Sequence, residues 1–216
     1  MSIKINIPTR LKDITLRQYK RYLRLEDSVE DQRFLNAKMI EIFCSVPLEK
    51  VMLLKVKDST EISNIITDIF EEKPSLVKRF ELNGVEYGFQ PQLDELTLGE
   101  YIDLDTFIGD WENMERAMNV LYRPIIVKLK DKYKIDKYVV SNDEFLLDMP
   151  MDAVLSSIFF LWNLGLDLSK IMTGYLDKGE TEALTQYLDS EKNGAGISQF
   201  IHSLKEMLDD LKISLN

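Results

Sequence analysis

At 216 residues the chain is long enough to bury a real core in one large domain or two small ones. Its net charge of −10 argues against an independent nucleic-acid binder that works by clustering Lys and Arg on phosphates. A lone Cys44 excludes an internal disulfide, and one cysteine with one histidine leaves no HExxH or paired CxxC zinc motif.

Alternation of polar and apolar residues over 2–7, SIKINI, predicts an edge strand ending at Pro8. Residues 1–14 lack an apolar central region, so no signal peptide is expected and synthesis in a reducing cytoplasm follows. Thr15 with Gln18 makes a capping pair and predicts a first helix to about Leu25. Arg17, Lys20, Arg21 and Arg24 on that helix read as the charged face of an amphipathic surface helix rather than a nucleic-acid site. Tyr19 and Tyr22 lie on the same helix and are candidates for a protein-contact face as well as for core.

Ser28 and Asp31 introduce a second helix whose apolar face is Phe34, Leu35, Met39, Ile42 and Phe43, and Cys44 at its end is expected to be a buried thiol. Pro47 opens a short third helix. Ser59 or Thr60 opens a fourth, with Ile62, Ile65, Ile66, Ile69 and Phe70 at helical spacing and Pro74 closing it. Asn83-Gly84 between short apolar runs predicts a tight hairpin over 77–89, because both central residues of a type I′ turn need positive φ. Thr97 and Glu100 form a capping box that starts a helix to Phe107; Asp110 starts another that runs to Tyr122 before Pro124. A second two-stranded ribbon is expected over 125–140, with one wet face of lysines.

From Pro150 the chain is apolar nearly all round, which implies a helix buried among others; its apolar stretch, 153–166, is too short to span a bilayer. Gly165 and Asp167 are expected to split it. A polar helix around Thr181–Tyr187 should lead into a hinge at Gly194 and Gly196. The last segment places Ile197, Phe200, Ile201, Leu204, Met207, Leu208 and Leu211 on one a/d seam over two heptads. That seam packs either on its own domain or on a partner, and its residues join Tyr19 and Tyr22 as interaction candidates. The expected fold is mainly α, an α-dominated α+β arrangement: a helical domain over 1–192 with hairpins near 77–89 and 125–140, then a hinge and amphipathic helix over 193–216.

Chemistry-bearing patterns are sparse. His202 sits in the final amphipathic pattern between Ile201 and Ser203. Glu100, Asp103, Asp105, Asp110 and Glu112 are the best carboxylate cluster for a divalent cation or acid–base work, but capping roles account for Glu100 and Asp110. No EF-hand loop and no GxxxxGK[ST] loop occurs, and Asn193-Gly194-Ala195-Gly196 lacks the strand and third glycine of a dinucleotide fingerprint.

Three stretches together, IPTRLKDITLRQYKRYL (7–23), EYGFQPQLDELTLGEYIDLDTFIGDWENMERAMNVLYRPI (86–125) and MPMDAVLSSIFFLWNLGLDLSK (149–170), resemble a family from tailed bacteriophages, the crAss-like and marine phages among them. The specific part is Leu98-Gly99-Glu100-Tyr101-Ile102-Asp103 and Trp111-Glu112-Asn113-Met114 followed by Tyr122-Arg123-Pro124. The resemblance covers roughly residues 5–175 and implies a virion or morphogenesis protein, with no catalytic residues or cofactor to carry across. In size, acidity and helical character the chain is also similar to phage tail assembly chaperones. The expected partners are portal, neck, tail or cargo proteins or further copies of the chain, with no direct nucleic-acid or membrane contact. The expected location is the virion, or the host cytoplasm during assembly.

Overall fold

Where the first helix begins, it is tied to two other parts of the chain. Thr15 and Gln18 form the expected reciprocal cap: the Thr15 amide donates to Gln18 Oε1 at 2.9 Å and the Gln18 amide donates to Thr15 Oγ1 at 3.2 Å. Gln18 Nε2 donates onward to the Ile42 carbonyl at 2.8 Å. The Leu16 amide donates to Met149 O at 3.0 Å, and the Met151 amide donates to Ile14 O at 2.9 Å. These last two bonds fix the start of the last described helix beside the start of the first.

The computed structural model describes residues 4–26, 28–130, 132–140 and 144–177. Within them run α1 (Leu16–Glu26), α2 (Gln32–Phe43), α3 (Leu48–Val51), α4 (Val56–Phe70), β1 (Arg79–Leu82), β2 (Val85–Phe89), α5 (Leu98–Phe107), α6 (Met114–Leu121), β3 (Tyr122–Leu129), β4 (Lys132–Ile135) and α7 (Met151–Asp177). The α-dominated α+β class is as expected. No helix among the described residues is long and apolar enough to cross a membrane.

The Asn83-Gly84 turn has the expected left-handed backbone, φ 52° and 77°, and pairs β1 with β2. The two ribbons, expected as separate hairpins, are one antiparallel sheet of order β1-β2-β3-β4. They join because α6 ends at Leu121 and the chain enters β3 at once, setting Tyr122 opposite Phe89, Arg123 opposite Gly88 and Pro124 opposite Tyr87. Pro124 therefore stands inside a strand, where its missing N–H is tolerated near the strand start. Tyr122 is fully buried, with its hydroxyl 2.8 Å from Val77 O and 3.2 Å from Ala153 O.

Three further expectations are corrected. Residues 4–9 form no strand; Ile5 and Ile7 lean on the core and Lys4 and Asn6 face out, so the alternation survives without a pairing partner. Helix α4 starts at Val56, and the Ser59 and Thr60 hydroxyls donate to Val56 O at 2.9 Å inside its first turn instead of capping it. The backbone of α7 continues through Gly165 and Asp167 without a break. Burial of Ala153, Val154, Leu155, Ile158 and Leu161 on α7 supplies several times the ~1 kcal/mol that an interior glycine costs a helix. The expected hinge and the seam from Ile197 to Leu211 lie outside the described residues.

Candidate functional site

The expected carboxylate cluster is divided among unrelated structural tasks. Glu100 closes the Thr97 capping box, accepting from the Thr97 amide at 2.8 Å and its hydroxyl at 2.7 Å, while its other oxygen lies 2.7 Å from Arg123 Nη1. Burial by itself would raise the Glu100 carboxyl, but the Thr97 hydrogen bonds and the Arg123 charge outweigh it and hold the group below its ordinary range. Asp103 accepts the Tyr138 hydroxyl at 2.6 Å, Asp110 accepts from the Glu112 amide at 2.8 Å and Asn113 Nδ2 at 2.6 Å, and Glu112 pairs with Arg24 at 2.5 Å. Asp105 faces solvent. Among the described residues no three His, Cys, Asp or Glu side chains converge in a way that could hold a metal ion.

The basic run of α1 is likewise engaged. Arg17 pairs with Asp148 at 2.7 Å, Arg21 with Glu41 at 3.1 Å and Arg24 with Glu112. Lys20 is not a solvating charge: it is buried, 2.5 Å from Glu115 Oε2 and 2.7 Å from the Glu112 carbonyl. Four cations that share a helix are thus each met by a carboxylate from another part of the chain, which supports the amphipathic-helix reading over a phosphate site.

Tyr19 and Tyr22, expected as contact candidates, are core. Tyr19 is 1% exposed, with its ring 4.8 Å from Trp111 and 5.4 Å from Phe70; Tyr22 is 4% exposed, 5.4 Å from Phe43. They turn inward because Leu16, Tyr19 and Tyr22 share the α1 face that meets α2 and α4, whereas the arginines occupy the opposite one. The other contact candidates, Ile197, Phe200, Ile201, Leu204, Leu208 and Leu211, lie outside the described residues.

The structure instead brings Leu98, Tyr101 and Ile102 together on the outer face of α5, at helical offsets 0, 3 and 4. Leu98 is 75% exposed and Ile102 51%, while Glu100, Leu104 and Ile108 line the opposite side of the same helix and its cap and are buried. The helix is apolar on both sides, so periodicity alone cannot say which side faces in. Glu100 lies on the buried side because Arg123 of β3 pairs with it there, which leaves Leu98 and Ile102 outside. A second exposed apolar group, Met52, Leu53 and Val56, sits at the corner between α3 and α4.

A groove of about 910 Å³ runs between the end of β2, β4 and α7, walled by Leu76, Phe89, Leu93, Tyr133, Phe160 and Leu164. Its charged residues are Lys78, Asp94 and Lys132, a set without a nucleophile–base pair. Cys44 is buried as expected, and burial pushes its thiol up to about 11, far from the thiolate a nucleophile needs. Against known proteins, no family model matches the chain, and neither a curated protein nor a solved structure similar to it is found.

Proposed function

We propose that this chain is a non-enzymatic morphogenesis protein of a tailed-phage virion, acting through protein–protein contacts as a neck or tail component or as packaged cargo. The observation that carries the contact part of the reading is the outward face of α5, where Leu98, Tyr101 and Ile102 stand in solvent with the exposed carboxylates Glu95 and Asp105 on the flanking residues. An apolar centre with a charged rim is the composition of a docking patch, in which a few large side chains carry most of the binding energy. The carboxylates that could have served chemistry are held by Thr97, Arg123, Tyr138, Asn113 and Arg24, which supports contact over catalysis. The phage setting rests on the sequence resemblance, whose specific stretch Leu98–Asp103 contributes this same face.

Quantitative mass spectrometry of purified particles tests the reading, with copy number of this chain set against the portal. A fixed small multiple of the portal identifies a symmetric neck or tail component, and a high number unrelated to it identifies cargo. Absence from particles, with abundance in infected cells, identifies an assembly chaperone that covers apolar surface and departs.

A further inference from the structure

The charge of the chain is segregated along it. Residues 80–115 hold ten Asp and Glu and no Lys, Arg or His, whereas residues 116–138 hold seven Lys and Arg against two Asp. The acidic block contains α5; the basic block contains the β3–β4 ribbon. Much of that ribbon projects into solvent: Ile126, Val127, Lys128, Leu129, Lys130, Lys132 and Lys134 are exposed, Leu129 at 72%.

Register sorts the ribbon into two faces. Lys128 lies opposite Tyr133, and both turn toward the sheet: Lys128 pairs with Glu86 at 2.7 Å and the Tyr133 hydroxyl lies 2.7 Å from Phe89 O. On the other face Val127 lies opposite Lys134 and Leu129 opposite Lys132, and neither of these two lysines makes an ion pair among the described residues. This face is apolar with the exposed Lys134 at its edge, while Lys132 borders the groove that Asp94 also lines. The outer face of α5 is apolar with the exposed carboxylates Glu95 and Asp105 at its edge, neither in an ion pair among the described residues. Within one chain both apolar centres stay open to solvent, Leu98 at 75% and Leu129 at 72%, so the two complementary patches fit together between copies.

We propose that the partner of the α5 face is the β3–β4 ribbon of a second copy of this chain. Val127 and Leu129 cover Leu98, Tyr101 and Ile102, and Lys134 meets Glu95 and Asp105. The contact is heterologous, one surface on each side, and such contacts build closed rings or open filaments rather than isolated dimers. The proposal rests on the reading of the α5 face as a docking surface and names its partner.

Sedimentation velocity on the full-length chain tests it at micromolar concentrations and low ionic strength. Leu129→Asp and Ile102→Lys each alter one patch at an exposed position, and unchanged circular dichroism and urea midpoints verify that both variants fold. The wild type should form species larger than dimers that shrink as salt rises. Each variant alone should weaken assembly about thirty-fold or more. An equimolar mixture of the two should yield dimers and nothing larger, because each mixed pair keeps one intact contact. A monomeric wild type, an assembly indifferent to either substitution, or a mixture that fails to dimerise each overturns the proposal. A monomeric wild type whose Ile102→Lys variant is nonetheless lost from particles overturns the self-contact and leaves the docking role of α5 standing.

Discussion

Glu100 on α5 and Arg123 on β3 meet at 2.7 Å with both side chains almost fully buried, joining the helix that carries the exposed apolar face to the strand that leads to the basic ribbon. Truncating one member of a buried ion pair leaves the other uncompensated, a loss of about 3–5 kcal/mol. Glu100→Gln is expected to lose about that much in urea unfolding, and Arg123→Met a comparable amount.

The same pair sets a pH dependence. The folded Glu100 carboxyl titrates below its ordinary value and the unfolded one at about 4.3, so its stabilisation is complete above that value and is lost as pH falls through the folded value. Stability of the wild type and of Glu100→Gln should therefore differ most at neutral pH and converge on acidification. A gap that stays constant from neutral to strongly acidic pH would show that the carboxylate charge is not what stabilises the joint.

Gly88 is required for its size. A Cβ placed there would clash with Tyr133 Cε2 and lie 2.9 Å from Cδ2 and 3.0 Å from Ile125 Cγ1. The Tyr133 ring cannot retreat freely, since its hydroxyl is held by carbonyls of Phe89 at 2.7 Å and Lys78 at 3.2 Å. Gly88→Ala should cost about 1–3 kcal/mol and should be far milder when made together with Tyr133→Ala. Equal costs in both backgrounds, measured by denaturant unfolding, would assign the effect to the β2 backbone instead.

Tyr19 distinguishes core from surface. Tyr19→Ala is expected to destabilise by about 3–5 kcal/mol, the cost of removing a buried aromatic, while Tyr101→Ala should stay within about 0.5 kcal/mol. Thermal melts of the two variants make the comparison.

Cys44 should be slow to react with a disulfide reagent at mildly alkaline pH, because burial keeps its thiol protonated and covered. Release of one full thiol equivalent should track the urea unfolding transition. Rapid stoichiometric reaction in the native state would contradict the packing around α2.

The caps and turns of this chain were legible because they are local chemistry. The Thr15–Gln18 and Thr97–Glu100 boxes and the Asn83-Gly84 turn each depend on a few neighbouring atoms, and each stands where its residues indicate. Side choice was not legible on α1, where an aromatic flanked by arginines suits a core as well as an interface; the decision came from Phe43, Phe70 and Trp111, distant in sequence. The union of the two ribbons was hidden for the same reason, since the β2–β3 pairing joins residues more than thirty apart across two helices. At the candidate site, the acidic residues were visible as a cluster, but their dispersal to separate partners depends on Arg24, Arg123 and Tyr138, which no spacing rule places beside them.

The contest between docking and carboxylate chemistry is tested most directly by two neighbouring substitutions on α5, introduced into the phage and read as incorporation of the chain into particles and as infectious titre. Ile102→Asp alters the exposed apolar face, and Asp103→Asn keeps an acceptor for the Tyr138 hydroxyl while removing the charge a metal would need. With both proteins folded, Ile102→Asp should be lost from particles or from the assembly pathway while Asp103→Asn behaves as wild type. Loss of function in Asp103→Asn with Ile102→Asp unimpaired would contradict the account.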